Sequence, residues 1–339
     1  MRAARLREEA QKLRNDVAAA ELVSALRASS IRTILLKGPA FARWLYNENE
    51  SRTYGDIDLL VSPAELACAE SVVHTLGFTR LAADSTRIGR NSHHERWYRA
   101  DDAVWVELHR GFVGVEASDE RFWNELSLRT EGLPLRAGVV AEIPDATART
   151  MLVALHAANH GPIGTALEDL VRAVHRVPER EWRRAAELAN RVRAEAAFRV
   201  GLSLIPEGRE LAARLELAAA PSREEVLRSS LPPLTAMGFE RLMRSRGLGG
   251  KLRYLASELA PPHTVLIRTD PLARHGKTGI AAAYLLRPAR LVIRAPRGFR
   301  AWRAANRRAA GWPRGPDPLA RQGSESDLVH ARPKLAGDE

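Results

Sequence analysis

The stretch that decides the fold is Gly55-Asp56-Ile57-Asp58-Leu59-Leu60-Val61. Read as a strand, it alternates its side chains between two faces, so Asp56 and Asp58 point the same way, about 7 Å apart at Cα. Leu60 shares their face, which is polar at its start and apolar at its end. Ile57, Leu59 and Val61 line the other face. This pattern puts both carboxylates at the strand's exposed mouth. Two ionised carboxylates on one edge repel each other unless a cation bridges them. The arrangement suits one or two hard divalent ions with oxygen ligands and room for a substrate phosphate. A surface strand with two solvated acids has the same local sequence, so the neighbouring segments must decide.

Upstream, Ile34-Leu35-Leu36 reads as the end of a buried strand, followed by Lys37-Gly38 and a helix opened by Pro39. Backbone N–H groups at such a helix start, with a glycine allowing close approach, form an anion site, and Lys37 adds a phosphate-directed charge. An ordinary strand-to-helix turn is the competing reading. Downstream, 104–112 (VWVELHRGF) reads as a strand with Glu107 and His109 on one face. Glu107 is a candidate third carboxylate or, equally, a solvent-facing acid. Arg52, just before the Asp-x-Asp strand, is placed to meet a phosphate or to hold its loop by a salt bridge.

Taken together, Lys-Gly, a strand with Asp-x-Asp and a later strand with one carboxylate resemble the DNA polymerase β-like nucleotidyltransferase superfamily. The closer resemblance is to bacterial nucleotidyltransferase family proteins. It is carried by LLKGPA at 35–40, Arg52, DIDLLV at Asp56–Val61, His94 and ELH at 107–109, and continues through LHAANH at 155–160 and the 252–291 stretch. The resemblance spans about 15–295 and implies an α+β fold: a small mixed-sheet nucleotidyltransferase domain followed by an all-helical domain. It implies Asp56, Asp58 and Glu107 as catalytic and metal-holding residues, with Lys37, Gly38 and Arg52 binding the nucleotide. His94 and His109 stand as candidates for the rim of the site. Mg2+ or Mn2+ is the implied cofactor, an NTP the implied substrate, and an unidentified hydroxyl compound the acceptor. Three departures stand out: Pro39 where many members carry Ser, a longer gap from Gly38 to Asp56, and Glu at 107 where Asp is common.

The rest of the chain agrees with two domains, the default for 339 residues. A charged N-terminal helix is expected over 1–30, the α/β domain over 31–145, a helical domain over 146–310 and a disordered tail over 311–339. Within the helical part, periodicity predicts helices at 147–159, 165–176, 179–197 and 223–228, then a pair near 239–259 and 278–293. The single cysteine, Cys68, leaves no intrachain disulfide and no Cys-based zinc cage. No run approaches a membrane span and the N-terminus lacks an apolar signal stretch, so a cytoplasmic protein is expected.

The net charge of +11 is uneven. Residues 286–321 hold ten arginines and one acid, Asp317, and the remainder is nearly neutral. Nucleic acid is therefore not the expected partner of the whole surface. The basic stretch 286–314 interleaves Arg with Val292, Ile293, Phe299, Trp302 and Trp312, a pattern that suits an anionic surface: membrane lipid, RNA or an acidic partner. The expectation is instead a terminal helix that uses these apolar residues in packing. His156 and His160, four apart on one helix face, read as helix-core or hydrogen-bonding histidines rather than zinc ligands, since no third ligand accompanies them. Gly276-Lys277-Thr278 resembles part of a P-loop, but Pro271 stands where that motif needs Gly. The functional expectation is transfer of a nucleoside monophosphate from an NTP to a hydroxyl, with a non-catalytic nucleotide-binding or scaffold protein on the same fold as the alternative.

Overall fold

In the computed structural model, the structure describes residues 2–47, 49–81, 93–230, 232–245, 247–262, 265–267 and 270–312. Seven strands form one mixed sheet in the order β3-β4-β5-β2-β1-β7-β6. They are β1 Thr33–Leu35, β2 Asp56–Val61, β3 Thr79–Arg80, β4 His94–Arg99, β5 Val104–His109, β6 Thr130–Pro134 and β7 Val140–Pro144. β2 runs parallel to β5 and β1 parallel to β7; the other pairs are antiparallel. The sheet carries α1 Arg2–Ala28, α2 Pro39–Leu45, α3 Leu66–Thr75 and α4 Asp119–Ser127.

The alternation in β2 separates two cores. Ile57, Leu59 and Val61 join Val106 and Leu108 of β5 and pack with Leu22 and Leu26 of α1 and Val73 of α3. Leu60, on the aspartate face, joins Ile34, Phe112 and Phe122 in a core continuous with the helical half. That half begins with α5 Ala146–His160, capped by Asp145, whose side chain accepts from the Ala148 N–H. α5 is buried nearly all round and packs against α6 Gly164–Arg176, α7 Glu179–Arg191, α8 Glu195–Leu202 and α10 Arg223–Ser229. α8 approaches it closely at Gly201, where a Cβ would lie 2.0 Å from the Ala154 carbonyl oxygen. α9 Pro206–Arg214, α11 Leu234–Arg244, α12 Gly247–Leu259 and α13 Gly276–Ala310 are further helices among the described residues. The fold is thus α+β, a mixed sheet followed by helices.

Several expected elements differ. The single helix expected over 179–197 is two, α7 and α8, broken where Arg193 takes a positive φ of 55°. The carbonyls freed at Val192 and Arg193 accept from Ala117 and Glu116 N–H, so tertiary hydrogen bonds hold the break open. The helix expected over 239–259 is α11 and α12, and that expected over 278–293 continues to Ala310 through Pro288 and Pro296. Both prolines face solvent, where water can satisfy the carbonyls they leave without an N–H partner. β6 and β7 went unforeseen; both end in proline, and β6 is a sheet edge, the place where strands tolerate it. Of the expected tail, Gly311 and Trp312 are described, and Trp312 packs beside Trp302 against Val226 and Ala305. The remainder of the tail, 313–339, lies outside the described residues, as does 82–92.

Candidate active site

Strand register assembles the site. Asp58 lies opposite Glu107 across the parallel β2–β5 pair, and Glu107 lies opposite Arg96 of β4. One step along, Leu60, His109 and His94 form the next row. Asp56, Asp58, Glu107, His109 and His94 therefore share the sheet face that looks toward the helical half.

Asp58 is buried, only 3% exposed, which corrects the expectation of a carboxylate at an open mouth. Its Oδ1 meets two groups at once, Lys37 Nζ at 2.8 Å and His109 Nε2 at 2.9 Å. Burial alone would raise the Asp58 carboxyl, but Lys37 and His109 override it and hold it well below the usual range. Burial likewise opposes the charge on Lys37, and Asp58 outweighs it, leaving the ammonium raised above its ordinary value. Asp56, half-buried at the start of β2, is only partly compensated by the charges of Lys37 and His109. Burial first, then the neighbouring carboxylates of Asp58 and Glu107, push it up to about 6.

Glu107 anchors a second set of contacts. Its Oε2 lies 3.4 Å from His109 Nε2, and its Oε1 lies 3.2 Å from Arg96 Nε and 3.5 Å from His94 Nε2. Burial works to raise Glu107; the bond to His109 and the nearby His94 prevail, and it stays below its ordinary value. His109 is not at the rim, as expected, but 4% exposed. Burial disfavours its charge, and the bonds to Asp58 and Glu107 more than offset this, raising its pKa. Its Nδ1 is buried with no hydrogen-bond partner among the described residues. His94 is half-buried, its ring 5.0 Å from that of His109. Ligand atoms of His94, Glu107 and His109 lie within 4.8 Å of one another, a grouping able to hold a metal ion. Phe112 underlies the cluster, its ring 6.2 Å from His109 and 5.7 Å from Lys37 Nζ.

Gly38 precedes α2 at φ 57°, ψ −112°, a conformation that glycine alone adopts without strain. A Cβ there would meet the Tyr54 ring at 3.4 Å. The helix start behind it offers few donors: Pro39 has no N–H, and the Ala40 N–H points to the Lys37 carbonyl at 3.1 Å.

Arg52 is not placed to meet a phosphate. It is buried, and its Nε and Nη2 bond to both oxygens of Asp169 on α6 at 2.6–3.0 Å. Tyr46 donates to the same carboxylate at 2.9 Å. The salt-bridge alternative describes this residue. Asp169 was not singled out in the sequence, although an acid on the apolar stripe Ala166, Leu170, Ala173 is the signal that could have found it. The loop is braced from its other side by α1, where Asn15 donates to the Tyr54 carbonyl at 2.8 Å and Asp16 accepts from the Tyr54 hydroxyl.

His156 and His160 end α5 beside the site, rings 4.4 Å apart. Burial and the nearby Lys37 charge hold His156 well below its ordinary value, and His160 is lowered for the same reasons. Their helix-core reading holds for His156, packed against Phe41, while His160 sits at the exposed end.

Residues 1–207 match the family of uncharacterised nucleotidyltransferases. The chain belongs to this nucleotidyltransferase family. The matched part contains the sheet, α5 and every site residue above; α10 to α13 lie beyond it. A search of curated proteins gave no match. Among solved structures, this nucleotidyltransferase is distantly similar to ANT(2″)-Ia in complex with adenylyl-2″-tobramycin, at 16% identity over 52% of this chain and 97% of that one, TM-score 0.38. The solution structure of the antibiotic-resistance factor ANT(2″)-Ia gives 15%, 53%, 95% and 0.38 in the same order. An antigenic nucleotidyltransferase-like protein from Paracoccidioides brasiliensis gives 12%, 60%, 92% and 0.36. No described helix is long and apolar enough to cross a membrane.

Proposed function

We propose that this chain moves a nucleoside monophosphate from an NTP to a hydroxyl-bearing acceptor, releasing pyrophosphate, at the Asp56–Asp58–Glu107 face, as in the DNA polymerase β-like superfamily. The observation that carries the proposal is the shared face itself: three acids on two adjacent parallel strands, with Lys37 against the central one. Asp56 supports a divalent cation there. A carboxyl raised by burial and then by two neighbouring carboxylates is a group that a bound cation would return to its ionised form. Asp56, Asp58 and Glu107 would hold Mg2+ or Mn2+, which when bound would neutralise the triphosphate and the charge developing on the leaving group.

The remaining work falls to the chain. Lys37 balances Asp58 and is the cation nearest to exchange that carboxylate for a phosphate oxygen. Gly38 keeps the backbone clear for the nucleotide's approach. Glu107, flanked by His94 and His109, takes the proton of the acceptor hydroxyl. The acceptor oxygen forms a bond to the α-phosphorus, the bond from that phosphorus to the bridging oxygen breaks, and pyrophosphate leaves with the electron pair. Positioning and electrostatics supply the rate enhancement. Cytoplasmic location belongs to the same reading.

A specific observation favours the alternative, a non-catalytic nucleotide-binding protein. Asp58 Oδ1 is already closed by Lys37 and His109, and the α2 start offers few N–H donors. The discriminating experiment is incubation with each NTP labelled at the α-phosphate, Mg2+ or Mn2+, and cell extract. Label transferred to an acceptor by the wild type and not by Asp58→Asn supports transfer. NTP binding without transfer in any extract supports the alternative.

A further inference from the structure

The basic C-terminal helix does not use its apolar residues as expected. Trp302 is packed, donating to Glu240 at 2.8 Å. Leu285, Val292 and Ile293, however, are 80%, 70% and 75% exposed, and Leu286 and Phe299 are exposed too. With 3.6 residues per turn, Leu285, Val292 and Phe299 fall in one row and Leu286 and Ile293 in the next. Arg303 and Arg307 continue the first row. The outward side of α13 is thus apolar along its first half and arginine-rich along its second, with Arg297, Arg300, Arg303, Arg307 and Arg308 all exposed. The helix carries eight Arg and Lys277 and no acid.

The neighbouring α12 adds to this surface. Leu248, Leu252, Leu255 and Leu259 form a single exposed row. The C-terminal end of α12 is tied to α13 beside Leu285 and Leu286: Tyr284 donates to the Pro261 carbonyl at 2.6 Å, and Arg287 pairs with Glu258 at 3.5 Å. Contiguous exposed apolar side chains beside a charged rim mark a contact surface.

We propose that α13, with the α12 leucine row, is a docking surface for an anionic lipid bilayer, lying on the membrane rather than crossing it. Charge complementarity selects this occupant. A second copy would bring an equally basic, acid-free helix against this one, and the two would repel. RNA would satisfy the arginines but leaves exposed Leu, Val and Ile without a role, since bases stack on aromatic rings. Anionic headgroups above acyl chains satisfy both halves, with aliphatic residues inserted at the interface and arginines held at the phosphates.

The test is flotation of the full chain with phosphatidylcholine vesicles, plain or carrying about one-third phosphatidylserine, at ~0.15 M salt. The expected result is capture by the anionic vesicles alone, weakened by added salt. Val292→Asp with Ile293→Asp should weaken capture at least about tenfold, and Gln at Arg297, Arg300, Arg303, Arg307 and Arg308 should do the same. All seven positions are exposed, and unchanged melting temperatures confirm that the variants fold. Absence of wild-type capture, equal capture by plain vesicles, or RNA binding that survives the Asp pair while vesicle capture is absent would each overturn the proposal. So would a wild-type dimer that the Asp pair converts to monomer.

Discussion

Two buried charge clusters lie on neighbouring parts of this molecule, and they are built on opposite principles. Around Asp169, one carboxylate meets one guanidinium in a two-point bond, with the Tyr46 hydroxyl as a third donor. Charge and hydrogen bonding both close, and the cluster joins the loop before β2 to α6. Around Asp58 and Glu107, three acids meet Lys37, Arg96 and two histidines in a web where single oxygens are shared and Asp56 is left raised. A closed pair is suited to holding elements together. An unclosed set stores unfavourable charge that an added cation and phosphate can relieve, which is the property a transferase site needs.

The largest test breaks the closed cluster. Asp169→Ala leaves Arg52 charged and buried without its partner, and the expected loss is about 3–5 kcal/mol of stability by urea denaturation. Arg52→Met with Asp169→Leu should recover most of it, since replacing both partners removes the uncompensated charge. A loss below about 1 kcal/mol for the single change would show that the pair is not structural.

Breaking the open cluster should damage activity more than the fold. Asp58→Asn is expected to cut transfer at least about 10²-fold, the scale of losing one electrostatic stabiliser. It also leaves Lys37 beside a neutral amide, so some stability goes with it. Adding Lys37→Met should restore stability and leave activity absent. Transfer at the wild-type rate in saturating Mg2+ would remove Asp58 from the chemistry.

The contrast between the clusters was only half readable in the sequence. A two-residue period places Asp56 with Asp58 on one face of DIDLLV and Glu107 with His109 on one face of ELH, but the two faces coincide only because the β2–β5 register sets Asp58 opposite Glu107. Arg52 and Asp169 are 117 residues apart, and neither position announces the other. Whether Arg52 reaches a phosphate or a helix depends on where α6 lands, which no local pattern states. The burial of His109 has the same origin, set by Phe112 below it and β4 beside it. β6 and β7 escaped notice because each is five residues long, with the turn between them made by Ala137 and Gly138 at positive φ. The α7–α8 break needs the Glu116 and Ala117 N–H groups from another part of the chain.

A pH experiment in EDTA sharpens the idea of stored charge. The Asp56 carboxyl titrates at 3.8 when unperturbed and about 6 in the fold. Between these values the folded chain keeps a proton that the unfolded chain has released. Its stability contribution is therefore full below about 4, is lost as pH rises through about 6, and stays lost above. The cost is no more than about 3 kcal/mol, and smaller after solvent screening. Asp56→Asn should flatten this part of the stability profile. Equal slopes for wild type and variant between pH 4 and 6 would show that Asp56 carries no stored charge.

The smallest effect comes from a second tie between the same loop and the same helix. Glu50 pairs with Arg172 of α6 at 2.8 Å, as Arg52 pairs with Asp169, but at the surface. Arg172 also stacks over the Tyr46 ring at 4.1 Å, so much of its placement does not depend on Glu50. Water already solvates both charges, and holding two long side chains in one geometry costs entropy that offsets the attraction. Glu50→Gln should therefore shift the urea midpoint by far less than Asp169→Ala, and the shift should vanish at high salt, where the attraction is screened. The Asp169 effect should persist at that salt, because burial keeps counterions away. If Glu50→Gln proved as damaging as Asp169→Ala, burial would not be what distinguishes the two ties, and the loop's hold on α6 would rest on charge number rather than on closure of the buried pair.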